Sequence, residues 1–120
     1  MKYCARHSVS PRNWKIRITD ILESIEHITG YTEDMTLSEF QTDQKTIDSV
    51  LRNLEIIGEA ARHVPQNIIK QYPDIPWSEM RAIRNIVIHE YFGVNLNIIW
   101  HTTQVNLPSI VDRLKEILES

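Results

Sequence analysis

The stretch 47-IDSVLRNLEIIGEAAR-62 carries the strongest helical periodicity in the chain. Ile47, Val50, Leu51, Leu54, Ile57, Gly58 and Ala61 recur at three- and four-residue spacing, which gathers them on one side of an α-helix expected to start at Thr42 or Asp43. Such a stripe predicts a helix deeply packed along that side. Gly58 lies within it, where glycine costs roughly 1 kcal/mol of helix propensity relative to alanine. With the small Ala60 and Ala61 following, its expected purpose is the close approach of another helix. The opposite face carries Asp48, Arg52, Glu55, Glu59 and Arg62, with Asp48 and Arg52 at favourable four-residue spacing. That face is expected to meet solvent or another subunit rather than to supply a catalytic carboxylate pair.

Helical patterns continue on both sides. Upstream, Ser10 and Pro11 suit a helix start, and Trp14, Ile18, Ile21, Leu22, Ile25 and Ile28 form a buried stripe expected to end around Gly30. Asp20, Glu23 and Glu26 are expected to face water, with His27 at the surface or its boundary. The segment 31-YTEDMTLSEFQTD-43 reads as a connection containing a short helical turn around 36-TLSEF-40, and 65-PQNIIKQYPDIPW-77, with three prolines, as another turn between two breaks. Pro76 can open a third long helix with Met80, Ile83, Val87 and Tyr91 along one side and a stop at Gly93. Asn95 can cap a final helical segment running through Leu118, whose apolar residues are Leu96, Ile99, Trp100, Val105, Leu107, Val111, Leu114 and Leu118. Pro108 removes a backbone donor and should kink or divide that segment. The expected fold is all-α: an up-and-down antiparallel bundle of four main helices with short additional helical segments.

The 120 residues fit a single domain spanning 1–120, with 1–13 as a possible N-terminal extension. A composition of 42% apolar and 24% charged residues, with three Gly and five Pro, describes a folded protein of few, long elements. The formal charge of −3 argues against coating nucleic acid by charge alone, yet leaves room for a local basic cleft. Cys4 is the one cysteine, so neither an internal disulfide nor a multi-cysteine metal site is available. The sequence holds no apolar run long enough to span a bilayer, and 1-MKYCARHSVS-10 lacks the apolar core of a secretory signal, so a cytoplasmic location without a membrane partner is expected. His7, His27, His63, His89 and His101 are dispersed without HExxH spacing, which weakens a metal-hydrolase reading.

Chemistry concentrates in 81-RAIRNIVIHEYF-92. At about 100° per residue, Arg81, Asn85 and His89 form one ladder, while Arg84 and Tyr91 form a second with Val87 or Ile88. Arg84 and His89 therefore project about 140° apart on a regular helix. Two arrangements reunite them: a long arginine side chain curling around the helix, or a two-fold partner completing the pocket. An imidazole can take a proton from a ribose 2′-hydroxyl or give one to a leaving oxygen, and a guanidinium can grip phosphate and offset developing charge. That set suits metal-independent cleavage of RNA, since DNA lacks the internal nucleophile. Asn85 can hydrogen-bond across the bundle, Glu90 can be a surface charge or orient a nearby basic group, and Tyr91 can pack with its hydroxyl toward solvent. Arg52, Arg62, Arg81 and Arg84 can together concentrate positive potential in one groove despite the acidic total.

The order Arg84, four residues, His89, one residue, Tyr91, embedded as 84-RNIVIHEY-91, resembles the Arg-x4-His-x-Tyr signature of HepT-like toxins in the HEPN ribonuclease superfamily. The segments 50-VLRNLEIIGEAAR-62, 73-PDIPWSEMRAIRN-85 and 98-IIWHTTQVNLPSI-110 resemble the family pattern in the same order, so the likeness covers roughly residues 14 to 118. The resemblance implies an all-helical homodimer that acts as the toxin of a type VII toxin–antitoxin system, a metal-independent endoribonuclease with Arg84 and His89 as catalytic residues. It also implies a partner, an MntA-like nucleotidyltransferase antitoxin, that transfers AMP from ATP to Tyr91, giving O-AMP-tyrosine and silencing cleavage. No cofactor is then needed for cleavage itself. The competing expectation is a non-catalytic helical partner that regulates a nucleotidyltransferase through the same surface.

Overall fold

The computed structural model describes residues 13–89 and 95–120, the side chains of 86–89 excepted. Its long helices are α1 (Trp14–Thr32), α3 (Gln44–Arg62), α5 (Trp77–His89) and α7 (Pro108–Glu119). Three short helices, α2 (Leu37–Gln41), α4 (Gln66–Gln71) and α6 (Leu96–His101), fill the connections. The expected helix start at Ser10 and Pro11, the expected stop at Gly93 and the 1–13 extension, apart from Asn13 at the start of α1, lie outside the described residues. Among the described residues there are helices and connections but no strand, and no helix is long and apolar enough to cross a membrane.

The helix α3 is central, with α1 on one side and α5 on the other, while α7 closes on α1. The stripe read from the sequence is the one buried: Val50, Leu54, Ile57 and Ala61 are fully enclosed, and Ile47, Leu51 and Gly58 are buried beside them. Asp43 caps the helix by accepting the Thr46 N–H at 3.1 Å. Its carboxyl sits below the ordinary value because that backbone bond and the Thr46 hydroxyl both favour the charged form. The opposing stripe of α1 buries Ile18, Ile21, Ile25 and Ile28, with Trp14 and Leu22 partly covered. The antiparallel run of α1 and α7 is fixed at both ends. The Lys15 Nζ donates to the carbonyls of Leu118 and Ser120 at 3.2 and 2.8 Å, and the Gln104 amide donates to the Thr32 hydroxyl at 3.2 Å.

Three expectations are corrected. Asp20 does not face water: it is only 9% exposed, because it sits where α1 turns toward α3 rather than on the outer face. Gly30 does not end α1, which continues to Thr32; the left-handed residue that reverses the chain is Asp34, at φ 61°. Aspartate tolerates that conformation better than most residues, so no glycine is required there. Val105 does not join the core but is half exposed, because residues Thr102–Asn106 form a π-helical turn, closed by the Leu107 N–H on the Thr102 carbonyl at 2.9 Å. The helical run is divided just before Pro108, which takes the first position of α7, where its missing N–H costs least.

The connections are anchored as firmly as the helices. In α2 the Thr36 hydroxyl accepts the Glu39 N–H while the Glu39 carboxylate accepts the Thr36 N–H, and the fully buried Phe40 stacks on Trp100 at 5.1 Å between centroids. The proline-rich approach to α5 is held by the buried Trp77 indole, which donates to the Tyr72 carbonyl at 2.9 Å. Beside it, Arg113 of α7 meets Asp74 at 2.7 Å and lies over the Tyr72 ring. That guanidinium keeps the Asp74 carboxyl below its ordinary value.

A close backbone contact joins α3 to α5. A methyl group placed on Gly58 would lie 2.7 Å from Arg84 Cβ and 2.8 Å from Arg84 N, so the two backbones touch where no side chain could intervene. Gly58→Ala should therefore lower stability by about 1–3 kcal/mol through overpacking, although alanine favours helices. Gly30→Ala, whose methyl meets nothing within 4 Å, should raise stability by about 0.5–1 kcal/mol. Urea titration of both variants checks the pair, and equal midpoint shifts of the same sign would contradict the close-contact account.

Candidate functional site

The contact at Gly58 decides where Arg84 begins, and the residue after Gly58 decides where it goes. With its Cα pinned against α3, Arg84 reaches the neighbouring Glu59, and its Nε lies 2.7 Å from Glu59 Oε2. The same carboxylate oxygen takes the Arg62 Nη1 at 3.2 Å from one turn further along α3. His63 turns its Nδ1 back onto the Glu59 main-chain carbonyl at 2.9 Å. One carboxylate thus holds two guanidiniums, and neither is buried: the Arg84 side chain is 32% exposed and that of Arg62 49%.

Arg84 separates two surface hollows. The first, of about 380 Å³, lies between α1 and α3, with Arg17, Asp20, Arg52, Glu55, Glu59 and Arg84 as its charged lining. Among the described residues, three cations face three acidic side chains there, so their formal charges balance. The second, of about 470 Å³, lies between the end of α3 and the start of α5, and is lined by Arg62, Ser78, Arg81, Ala82, Arg84 and Asn85. Among the described residues, cations line it and carboxylates do not. The four arginines expected to share one groove are therefore split, with Arg52 in the balanced hollow and Arg62 and Arg81 in the basic one.

Of the residues singled out from the sequence, Arg84 and Asn85 are brought to one place, the basic hollow. Asn85 is exposed, in register with exposed Ser78 and Ala82, and α5 remains helical as far as His89, one turn beyond Asn85. The His89 side chain, Glu90 and Tyr91 lie outside the described residues. Among the described residues no group of three or more His, Cys, Asp or Glu is placed to hold a metal ion.

The sequence reading missed Glu59 as the partner of Arg84. Its three-residue spacing to Arg62 and four-residue spacing to His63 were legible, but the link to α5 depends on how the helices pack. Glu59→Gln should melt near the native temperature, because partly exposed ion pairs contribute only about 0–1 kcal/mol. It should nevertheless release Arg84. Exchange of the Arg84 Nε–H with water, followed by nuclear magnetic resonance, is expected to be faster in the variant than in the native protein, and an unchanged rate would mean that Glu59 does not restrain the guanidinium.

Sequence comparison shows which known proteins the chain is similar to. The family described as "Ribonuclease HepT-like" matches residues 21–117. The protein named "Putative RNase MJ0127" from Methanocaldococcus jannaschii is 42% identical over 100 residues, covering 83% of this chain and 83% of its own length. "Probable ribonuclease HepT" from Thermococcus cleftensis is 38% identical over 106 residues, 88% of this chain and 96% of its own. "Putative RNase TTE0752" from Caldanaerobacter subterraneus is 35% identical over 99 residues, 82% of this chain and 88% of its own. No solved structure matches the chain at a significant level. A family match running from the middle of α1 to the end of α7, with relatives of this identity along nearly their full length, means that the chain belongs to the HepT-like ribonuclease family.

Proposed function

We propose that this chain is a metal-independent endoribonuclease, the toxin of a toxin–antitoxin pair, with Arg84 and His89 as its catalytic residues. Arg84 binds the phosphate to be cleaved and offsets the charge that builds on its oxygens. The His89 imidazole exchanges a proton with the reacting oxygens. The ribose 2′-hydroxyl attacks phosphorus, the bond to the 5′-oxygen of the next nucleotide breaks, and the products are a 2′,3′-cyclic phosphate and a 5′-hydroxyl. The 2′-hydroxyl proton goes to a base and the leaving oxygen receives one, so the reaction closes without metal or cofactor. Asn85 and Glu90 orient the cleft, and unmodified Tyr91 helps to hold RNA.

The observation that carries this reading is the seating of Arg84. A guanidinium rooted at a backbone-to-backbone helix contact, oriented by a carboxylate and bordering a hollow lined by cations, is prepared for a phosphate. A homodimer would bring two copies of the motif to a shared groove, which supplies a second route to uniting Arg84 with an imidazole. The Arg84–Glu59 pair would equally suit a structural arginine, which keeps the non-catalytic regulator of a nucleotidyltransferase as the second reading.

Cleavage of RNA should persist in EDTA and leave cyclic phosphate ends. His89→Ala should lower kcat by about 10²–10⁴-fold, the usual contribution of a positioned proton-transfer group. Arg84→Ala should lower it by about 10²–10³-fold. Full activity in folded His89→Ala would remove that residue from proton transfer, and inactivity of verified unmodified native protein would favour the regulator.

Control is proposed to lie at Tyr91. An MntA-like nucleotidyltransferase transfers AMP from ATP to its phenolic oxygen, releasing pyrophosphate, and the added phosphate then competes with RNA for the nearby cations. Intact mass after incubation with that partner and ATP should rise by whole AMP units as cleavage falls, with peptide mapping to Tyr91. Adduct found solely elsewhere would reject the residue, and lost cleavage without a mass change would move control to binding alone.

A further inference from the structure

The two hollows beside Arg84 differ in a way that bears on the path of the substrate. A strand of RNA carries a negative charge at every nucleotide, and beyond the phosphate at Arg84 the described residues offer the neighbouring phosphate these two hollows. The α1 side offers it two further cations, Arg17 and Arg52, but sets Asp20, Glu55 and Glu59 beside them. The α5 side offers Arg62 and Arg81 with the Ser78 hydroxyl and the Asn85 amide, and among the described residues no carboxylate lines it. Repulsion from the α1-side carboxylates cancels what its arginines contribute, so the electrostatic choice falls on the α5 side.

The spacing agrees. Arg81 and Arg84 are three residues apart on α5, which puts them on adjacent turns about 5–6 Å apart at Cβ, and Arg62 reaches the same hollow from the last turn of α3. Exposed Ala82 leaves the floor between them low. Glu59 does not line the hollow but pairs with both Arg62 and Arg84, offsetting part of their charge and leaving Arg81 without that carboxylate.

We propose that the hollow formed by Arg62, Ser78, Arg81, Arg84 and Asn85 is a phosphate subsite that holds the backbone of single-stranded RNA next to the cleaved linkage. It rests on the nuclease reading for the place of the cleaved phosphate at Arg84. Arg62 and Arg81 each bind phosphate there, Ser78 and Asn85 donate hydrogen bonds to its oxygens, and the strand runs away from α1 toward the start of α5. Arg52 takes no part, although it carries the same charge.

The probe is a short RNA with 2′-O-methyl riboses, which binds but cannot be cleaved, titrated into the full-length protein at several salt concentrations. For single strands the logarithm of affinity falls with the logarithm of salt with a slope of about −0.7 per phosphate contact. Arg62→Gln and Arg81→Gln should each make the slope shallower by about 0.7, Arg81→Lys should restore it, and Arg52→Gln, an equal change in net charge, should leave it as in the native protein. Thermal melts confirm that each variant is folded. Equal slopes in Arg62→Gln, Arg81→Gln and Arg52→Gln would overturn the subsite, and a shallower slope in Arg52→Gln alone would put the strand on the α1 side. If the predicted pattern holds but native protein cleaves no natural RNA, the subsite stands and the nuclease reading falls; if native protein binds the probe at no salt concentration, both fall.

Discussion

The absence of a side chain at Gly58 is the constraint on which the rest of the molecule turns. Helix α3 is flanked on both sides, and on the α5 side the approach is so close that Arg84 backbone atoms occupy the space a Cβ would need. Close packing of this kind fixes the relative rotation of two helices, because a small turn of either would drive a bulkier neighbour into the contact. The core and the candidate site are thus the same contact viewed from two sides: Ile57 and Ala61 face inward from it, and the Arg84 guanidinium leaves it outward. A long, flexible side chain ordinarily loses rotamer freedom when it binds a ligand. Arg84 has much of that freedom removed beforehand by Glu59.

Charge is arranged locally against the total. The chain is acidic overall, at −3, yet the hollow beside Asn85 is lined with arginine. Asp20 and Glu55 line the other hollow, and Glu59 pairs with Arg62 and Arg84 without lining this one. An acidic total with a locally basic recess is suited to meeting RNA at a defined place while discouraging adsorption elsewhere.

What could be read from the sequence follows from how local each feature is. The α3 stripe was legible because its apolar residues repeat at helical spacing from Ile47 to Ala61. Gly58 was legible as a close approach, but the residue approaching it was not, since nothing local ties Gly58 to Arg84. Asp20 was misread because a polar residue on an amphipathic helix is ordinarily solvated, and its burial depends on the position of α3. The split of Arg52 from Arg62 had the same origin: both sit on the polar face of one helix, and only the placement of α5 between the two hollows separates them. Within the site, Arg84 and Asn85 were found by motif, while Glu59, the group that aims Arg84, was visible only as one charge among several.

The π-helical turn at Thr102–Asn106 has a consequence for how this fold can vary. Main-chain angles remain helical through Thr102 and Leu107, so α6, the turn and α7 form one rod with a single added residue of phase. That added residue sets the rotation at which Ile110, Leu114 and Ile117 meet α1. At about 100° per residue, a net change of one position between Trp100 and Pro108 would swing the whole α7 face away from the core, whereas changes in the 33–36 connection alter no helical phase at all. Length is thus under tight restraint in a segment that looks like ordinary helix, and under little in one that looks like a linker.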